Sequence, residues 1–197
     1  MVVIASGMTE RRTLPHLLRH MDNEGIELVD VRIPPGGYDL TPDMAERLVR
    51  LVCRESMTAG SGLKKVVLLV DADGREPAMV LQRFSHLPAR LAELVMVVTT
   101  VAKWHLEAWF FADGQGLRKA LGKSLGRIEE AVPDDIESPK KRLKDLLGGT
   151  YSSTDAEKIA RVLSPARIRR SPSFCALEAA VRNGAKPCPG KELTSTQ

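Results

Sequence analysis

The sequence predicts an α/β fold: a small four-stranded, mainly parallel sheet with flanking helices, followed by a C-terminal helical extension. Three observations lead there. Residues 66–70 form an unbroken apolar run rich in β-branched valine, the pattern of a strand buried on both faces. Short runs of this kind alternate with segments of helical periodicity in the order β-α-β-α-β-α-β, which calls for a parallel sheet with crossover helices. Beyond residue 139 the strand-like runs stop and the chain becomes helical and basic.

Val2 to Ala5 is the first predicted strand, closed by Ser6-Gly7. Leu14, Leu17, Leu18 and Met21 recur at helical spacing. Pro15 is tolerated in a first turn, so Thr13 is the expected N-cap of a helix reaching about Met21. Residues 26–33 alternate apolar and polar and read as the second strand, with Pro34-Pro35-Gly36-Gly37 as a loop. Thr41-Pro42-Asp43 opens the next helix, with Thr41 as N-cap and Pro42 at N1. The strand ending at Asp71 follows. A helical stretch over residues 77–93 is interrupted near Pro88, and residues 94–101 form the fourth strand. Residues 104–112 and 117–121 read as helices, 123–138 as loop, and 139–182 as helices. The expected organisation is a core over residues 1–122, a basic helical extension packed on it over 123–183, and a disordered tail over 184–197.

With 197 residues, 43% of them hydrophobic, the chain can bury one good core. No apolar run is long enough to span a membrane. The first residues lack a basic n-region, so no signal peptide is expected. Three cysteines, widely spaced, imply neither a metal motif nor a disulfide framework, and the expected setting is a reducing cytoplasm. A net charge of +4 permits an anionic partner without demanding one. A protein partner remains open, and oligomeric state is not specified.

The chemistry concentrates at Asp71-Ala72-Asp73-Gly74. In an extended backbone, residues i and i+2 project to one side. Open parallel sheets bind ligands at the carboxyl ends of their strands, and paired carboxylates there suit Mg²⁺ or Mn²⁺. The alternative is a pair of turn-forming aspartates before a helix.

Several motifs together resemble a known group. Ser6-Gly7-Met8-Thr9-Glu10 followed by Leu14-Pro15-His16-Leu17-Leu18, with the Asp71-Ala72-Asp73 pair, resembles the TOPRIM fold of topoisomerases, primases and related nucleases. The segment His105-Leu106-Glu107-Ala108-Trp109-Phe110-Phe111 and the later Ser171-Pro172-Ser173-Phe174 resemble the signatures of an uncharacterised bacterial TOPRIM-like family, domain of unknown function 4276. The resemblance covers residues 2–181. It implies a metal-dependent, nuclease-like activity on nucleic acid, in bacterial defence or repair, with Asp71, Asp73 and Glu107 as metal ligands and catalytic groups. TOPRIM proteins carry a glutamate directly before the glycine that follows the first strand; here that residue is Ser6. A serine hydroxyl cannot replace a carboxylate charge. Glu10, one helical turn onward, can partly substitute, beside its plain role as an acid near a helix N-terminus. The loss of that glutamate keeps a second expectation alive, a non-catalytic nucleic-acid or protein binding module. An enzyme acting on a small phosphorylated molecule is a third.

For contact with phosphate or nucleic acid the candidates are Arg11 and Arg12 after the first strand, Lys140 and Lys141 on a basic helix, and Arg169, Arg170, Ser171 and Ser173 at a helix start. Each has an ordinary alternative: solvated helix charge for the cations, and an N-cap for the serines. Trp109, Phe110 and Phe111 read as core. His16 and His105 read as packed or surface histidines.

Overall fold

The computed structural model describes residues 1–37, 39–122 and 132–182. Strands β1 (Val2–Ala5), β2 (Asp30–Arg32), β3 (Lys65–Asp71) and β4 (Met96–Ala102) form one sheet in the order β2-β1-β3-β4. Every neighbouring pair is parallel; Val3 sits beside Val67 and Val31, and Val70 beside Val101. Because side chains alternate across a strand, the two faces of this sheet feed two cores. Val66, Leu68 and Val70 face helices α2 (Pro42–Thr58), α3 (Pro77–Phe84) and α4 (Leu87–Leu91). Val67 and Leu69 face α1 (Met8–Leu17) and the C-terminal helices.

Those later helices are α5 (Gly114–Leu121), α6 (Pro139–Leu147), α7 (Ser153–Val162), α8 (Pro165–Ile168) and α9 (Pro172–Arg182). They do not sit beside a finished sheet. Ile159, Phe174 and Leu177 share one apolar cluster with Val3, Leu69 and the buried Trp109-Phe110-Phe111 run. The Trp109 indole meets Phe174 edge-on at 5.3 Å. The helical extension therefore covers one face of the sheet, as α2 to α4 cover the other.

Three elements depart from the sequence-based expectation. First, α1 begins at Met8 with Gly7 as N-cap, and Pro15 lies in its last turn rather than its first. There it forfeits the one N–H bond that would run to the Arg11 carbonyl, and the helix ends two residues later. Thr13 is buried, and its hydroxyl donates to the Thr9 carbonyl at 2.8 Å instead of capping. The stretch to Met21 continues as a tighter 3₁₀ turn over Arg19–Glu24. Second, β2 is only 3 residues long, because the short β1 offers it pairing from Val2 to Ile4 alone. Third, residues 104–112 form a 3₁₀ turn, Leu106–Ala112, in which every side chain is buried. A 3₁₀ turn over Pro133–Asp135 falls within the region read as loop. Residues 123–131 and the expected tail lie outside the described residues.

Gly74 explains the turn after β3. Its φ is +77°, and a Cβ there would fall 2.3 Å from the Trp104 ring. The indole lies against the glycine, which ties the end of β3 to the segment that follows β4.

Candidate functional site

The chain leaves β1 through α1 on one face of the sheet and leaves β3 through α3 on the other. Their carboxyl ends therefore frame a crevice, the position at which open α/β sheets bind ligands. A cavity of about 360 Å³ lies there, lined among others by Ser6, Glu10, Asp71, Asp73, His105 and Lys140.

Asp71 is the last residue of β3, and its Oδ1 is shut off from solvent without a hydrogen-bond partner. Burial, reinforced by the nearby Glu10 carboxylate, holds its carboxyl well above the usual range. Glu10 comes from the first turn of α1 and is 2% exposed. Its Oε1 also lacks a partner. Its Oε2 lies 3.2 Å from where a Gly7 Cβ would stand, so the glycine keeps room for the carboxylate. Burial pushes the Glu10 carboxyl up, against the pull of nearby backbone amides and Lys140.

Glu107 is fully buried in the 3₁₀ turn after β4 and is not among the cavity-lining residues, but it is near enough for its charge to act on Asp71. Its Oε1 accepts a hydrogen bond from the Tyr151 hydroxyl at 3.3 Å, and its Oε2 has no partner. Burial raises its carboxyl to about 7, with Lys140 opposing the rise. Burial and the adjacent Glu107 charge in turn push the Tyr151 phenol upward, so it stays a hydrogen-bond donor.

Asp73 does not lie beside Asp71 in the way an extended i, i+2 pair would. The strand ends at Asp71, and Asp73 adopts a left-handed backbone with φ +50°. Its half-exposed carboxylate turns to His105 Nε2 at 2.9 Å and Arg75 Nη2 at 3.3 Å. His105, which the sequence left among ordinary histidines, thus joins the site. With Nε2 donating to Asp73, its Nδ1 is the free acceptor, and that atom is buried without a partner. Burial and the Lys140 charge lower the His105 pKa, which Asp73 only partly offsets.

Lys140 was expected on a basic outer helix face. It stands in the first turn of α6, lining the cavity, and its charge acts on Glu10, Asp71, Glu107 and His105 together. One sequence signal could have singled it out. A lysine directly after Ser138-Pro139 occupies a helix N-terminus, where a cation is disfavoured by the helix dipole.

The other phosphate candidates lie elsewhere. Arg12 reaches α7, at 3.3 Å from Glu157 and 3.1 Å from the Thr154 hydroxyl. Arg11 and Lys141 are exposed, and neither lines the cavity. Arg169 forms a two-pronged pair with Glu178 at 2.8 and 2.9 Å. Arg170 points at the Ala112 carbonyl, 3.4 Å away. At the start of α9 the expected anion is supplied by the protein itself. The Asp134 carboxylate accepts from the Ser171 hydroxyl and, at 2.7 Å, from the Ser173 amide. Ser171 Oγ caps Phe174 N at 3.2 Å, and Trp109 Nε1 donates to Ser173 Oγ at 2.7 Å. The Ser-Pro-Ser-Phe motif is therefore a helix cap locked to the core.

Glu10, Asp71 and Glu107 present oxygens of the kind that Mg²⁺ or Mn²⁺ takes, each with one buried oxygen unclaimed. Among the described residues no three His, Cys, Asp or Glu side chains form a ready-made metal cage. Mg²⁺ in particular uses one or two carboxylates and keeps several waters, so the donor set fits that ion rather than a closed site. Among the described residues no helix is long and apolar enough to cross a membrane.

Compared with protein-family models, residues 7–182 match the one described as "Domain of unknown function (DUF4276)". No curated protein and no solved structure gives a significant match.

Proposed function

The chain belongs to the DUF4276 family, and from that premise we propose that it is a divalent-metal-dependent, nuclease-like protein that cleaves phosphodiester bonds in nucleic acid. One observation carries this reading. Glu10, Asp71 and Glu107, from three separate stretches of chain, bury carboxylate oxygens that no protein group satisfies. Buried charge without a partner is costly: without a cation such a carboxyl takes up a proton, which is the direction burial drives all three here, and a bound cation is the other way to offset it. The TOPRIM-like Asp-x-Asp motif on β3 supports the same reading.

Asp71 and Glu10 would hold a Mg²⁺ or Mn²⁺ ion, with Glu107 nearby and Asp73 at the rim. Such an ion, when bound, polarises a phosphoryl oxygen and lowers the pKa of a bound water. The chain's own residues supply the rest. Lys140 presents an ammonium to phosphoryl oxygens, where charge builds during the reaction. Asp73 orients His105 so that Nδ1 can take a proton. Lys141 and Lys144, exposed on the same helix as Lys140, add backbone attraction for a nucleic acid. The setting this suggests is bacterial defence or repair.

A second reading, a non-catalytic module that binds nucleic acid or a protein, is favoured by two residues. Ser6 stands where TOPRIM proteins have a glutamate, and Lys140 offers a built-in cation in place of a metal. Calorimetric titration with Mn²⁺, on the native protein and on Asp71→Asn, separates the two. The nuclease reading expects native binding below millimolar Mn²⁺, weakened at least about tenfold in the variant, with Mn²⁺-dependent strand cleavage. Nucleic-acid binding with no Mn²⁺ uptake at millimolar concentration would establish the binding module instead.

A further inference from the structure

The cavity at the carboxyl edge has two electrical poles. The acidic floor is one. Across from it, Arg75 and Arg83 line the wall formed by the β3–α3 turn and by α3. Arg75 is occupied: its guanidinium donates to the Ala72 carbonyl at 3.0 Å and to Asp73 at 3.3 Å. Arg83 is not, since among the described residues its guanidinium has neither an ion-pair nor a hydrogen-bond partner. Its place in the last turn of α3 agrees with the helix dipole. Its side chain is exposed and lines the cavity whose floor holds the buried carboxylates, so it is free to meet an anionic ligand there.

The lining adds a second constraint. None of the described lining residues is Phe, Tyr or Trp, and the ring of His105 among them is already held by Asp73. At about 360 Å³ the cavity is also at the small end of ligand pockets. What this wall offers a ligand is charge: a planar guanidinium matched to phosphate oxygens.

We propose that Arg83 anchors a second phosphate of the substrate, next to the one being cleaved, and that the site holds a nucleic-acid strand by its phosphates rather than by its bases. This rests on the nuclease reading for the role of the acidic floor. The anchoring itself is measured separately.

The test uses the full chain, native and Arg83→Gln, with Arg83→Lys as the charge-retaining variant. Mn²⁺ calorimetry comes first. Anisotropy then follows two labelled strands across a salt series with Ca²⁺ present: an oligothymidylate and a strand of equal length with abasic spacers. The expected result is that native protein binds the two strands within about threefold of each other. Arg83→Gln weakens both about tenfold and lowers the log–log salt slope by about 0.7, the single-strand value for one lost phosphate contact. Arg83→Lys recovers most of the affinity, and Mn²⁺ affinity is the same in all three proteins. Unchanged strand affinity and slope in Arg83→Gln overturn the anchor. A preference of tenfold or more for the base-bearing strand overturns recognition by phosphate alone. Absence of Mn²⁺ binding in native protein sinks the nuclease reading instead, and the salt slopes still decide the anchor.

Discussion

Two groups of buried carboxylates in this chain are in opposite states. In the helical layer, Asp113, Asp134 and Glu178 are at most 5% exposed, and each is saturated. Asp113 accepts from Gly116 N at 3.0 Å, Ser164 N at 2.8 Å and Arg167 at 3.3 Å. Asp134 holds the two serines of α9. Glu178 takes Arg169, Arg182 and His20. At the carboxyl edge of the sheet, Glu10, Asp71 and Glu107 each leave an oxygen unclaimed. The pKa directions follow. Burial pushes the Glu178 carboxyl up, but its partners outweigh burial and hold it at about 2, whereas burial prevails at Glu107, which rises to about 7. Burial alone does not mark a functional carboxylate. Burial without partners is what sets the edge group apart, and the proposed metal site rests on that difference.

The largest effect is expected at Glu178. Glu178→Ala leaves the Arg169 guanidinium without its carboxylate, while Arg182 keeps Glu24, and should cost about 3 kcal/mol, read as a lower urea midpoint. Because the folded pKa is depressed, the contribution of Glu178 is present above its ordinary value of 4.5 and disappears as pH falls toward 2. A loss below about 1 kcal/mol would mean that the network is solvated and the contrast between the two groups unfounded.

The edge carboxylates should respond with the opposite sign. Glu107→Gln removes a charge that no cation pairs and that only the Tyr151 hydroxyl touches, so without metal it should stabilise the protein at pH 8 by about 1–3 kcal/mol. The pH dependence runs opposite to that of Glu178. A raised folded pKa keeps stability full below 4.5 and lowers it as pH climbs to about 7. Thermal unfolding of the native protein between pH 4.5 and 8 should therefore show a decline that Glu107→Gln reduces and Mn²⁺ reverses. A native profile that rises through this window would remove the unclaimed-charge argument.

The two groups also differ in how far the sequence reveals them. The parallel sheet was legible because Val66 to Val70 and its neighbours carry an unbroken apolar signal. Asp71 was legible because it closes such a strand, and Glu107 because a resemblance pointed to it. Glu10 was a candidate whose burial no local pattern announces. The turn that swings Asp73 onto His105 was hidden, because a strand's last residue is fixed by its pairing partner, here Ala102 beside Asp71. Lys140 was named as a phosphate contact, but its place among the acids was hidden by distance: its charge acts on carboxylates that are 130 and 69 residues earlier in the chain, at Glu10 and Asp71. The same long range kept the partners of the other candidate phosphate contacts out of view. Arg12, Arg169 and Arg170 read as free basic charge only while Glu157, Glu178 and the Ala112 carbonyl are not known to be their neighbours.

The smallest expected effect tests the motif that changed meaning most. Ser171 accepts from Phe174 N and donates to Asp134. Ser171→Ala deletes both bonds, but Asp134 keeps the Ser173 amide at 2.7 Å and the Ser173 hydroxyl at 3.0 Å. The loss should therefore stay near that of an ordinary helix cap, about 1 kcal/mol. Since Asp134 already occupies the start of α9, a phosphate arriving there would meet a carboxylate, not free amides. Ser171→Ala should accordingly lower the melting temperature by a few degrees, about 2–4 °C for a chain of this size, while Mn²⁺ affinity and strand affinity stay at native values. If strand affinity fell about tenfold with stability unchanged, α9 would be an anion site after all, and the division between saturated structural acids and an unsaturated edge would not hold.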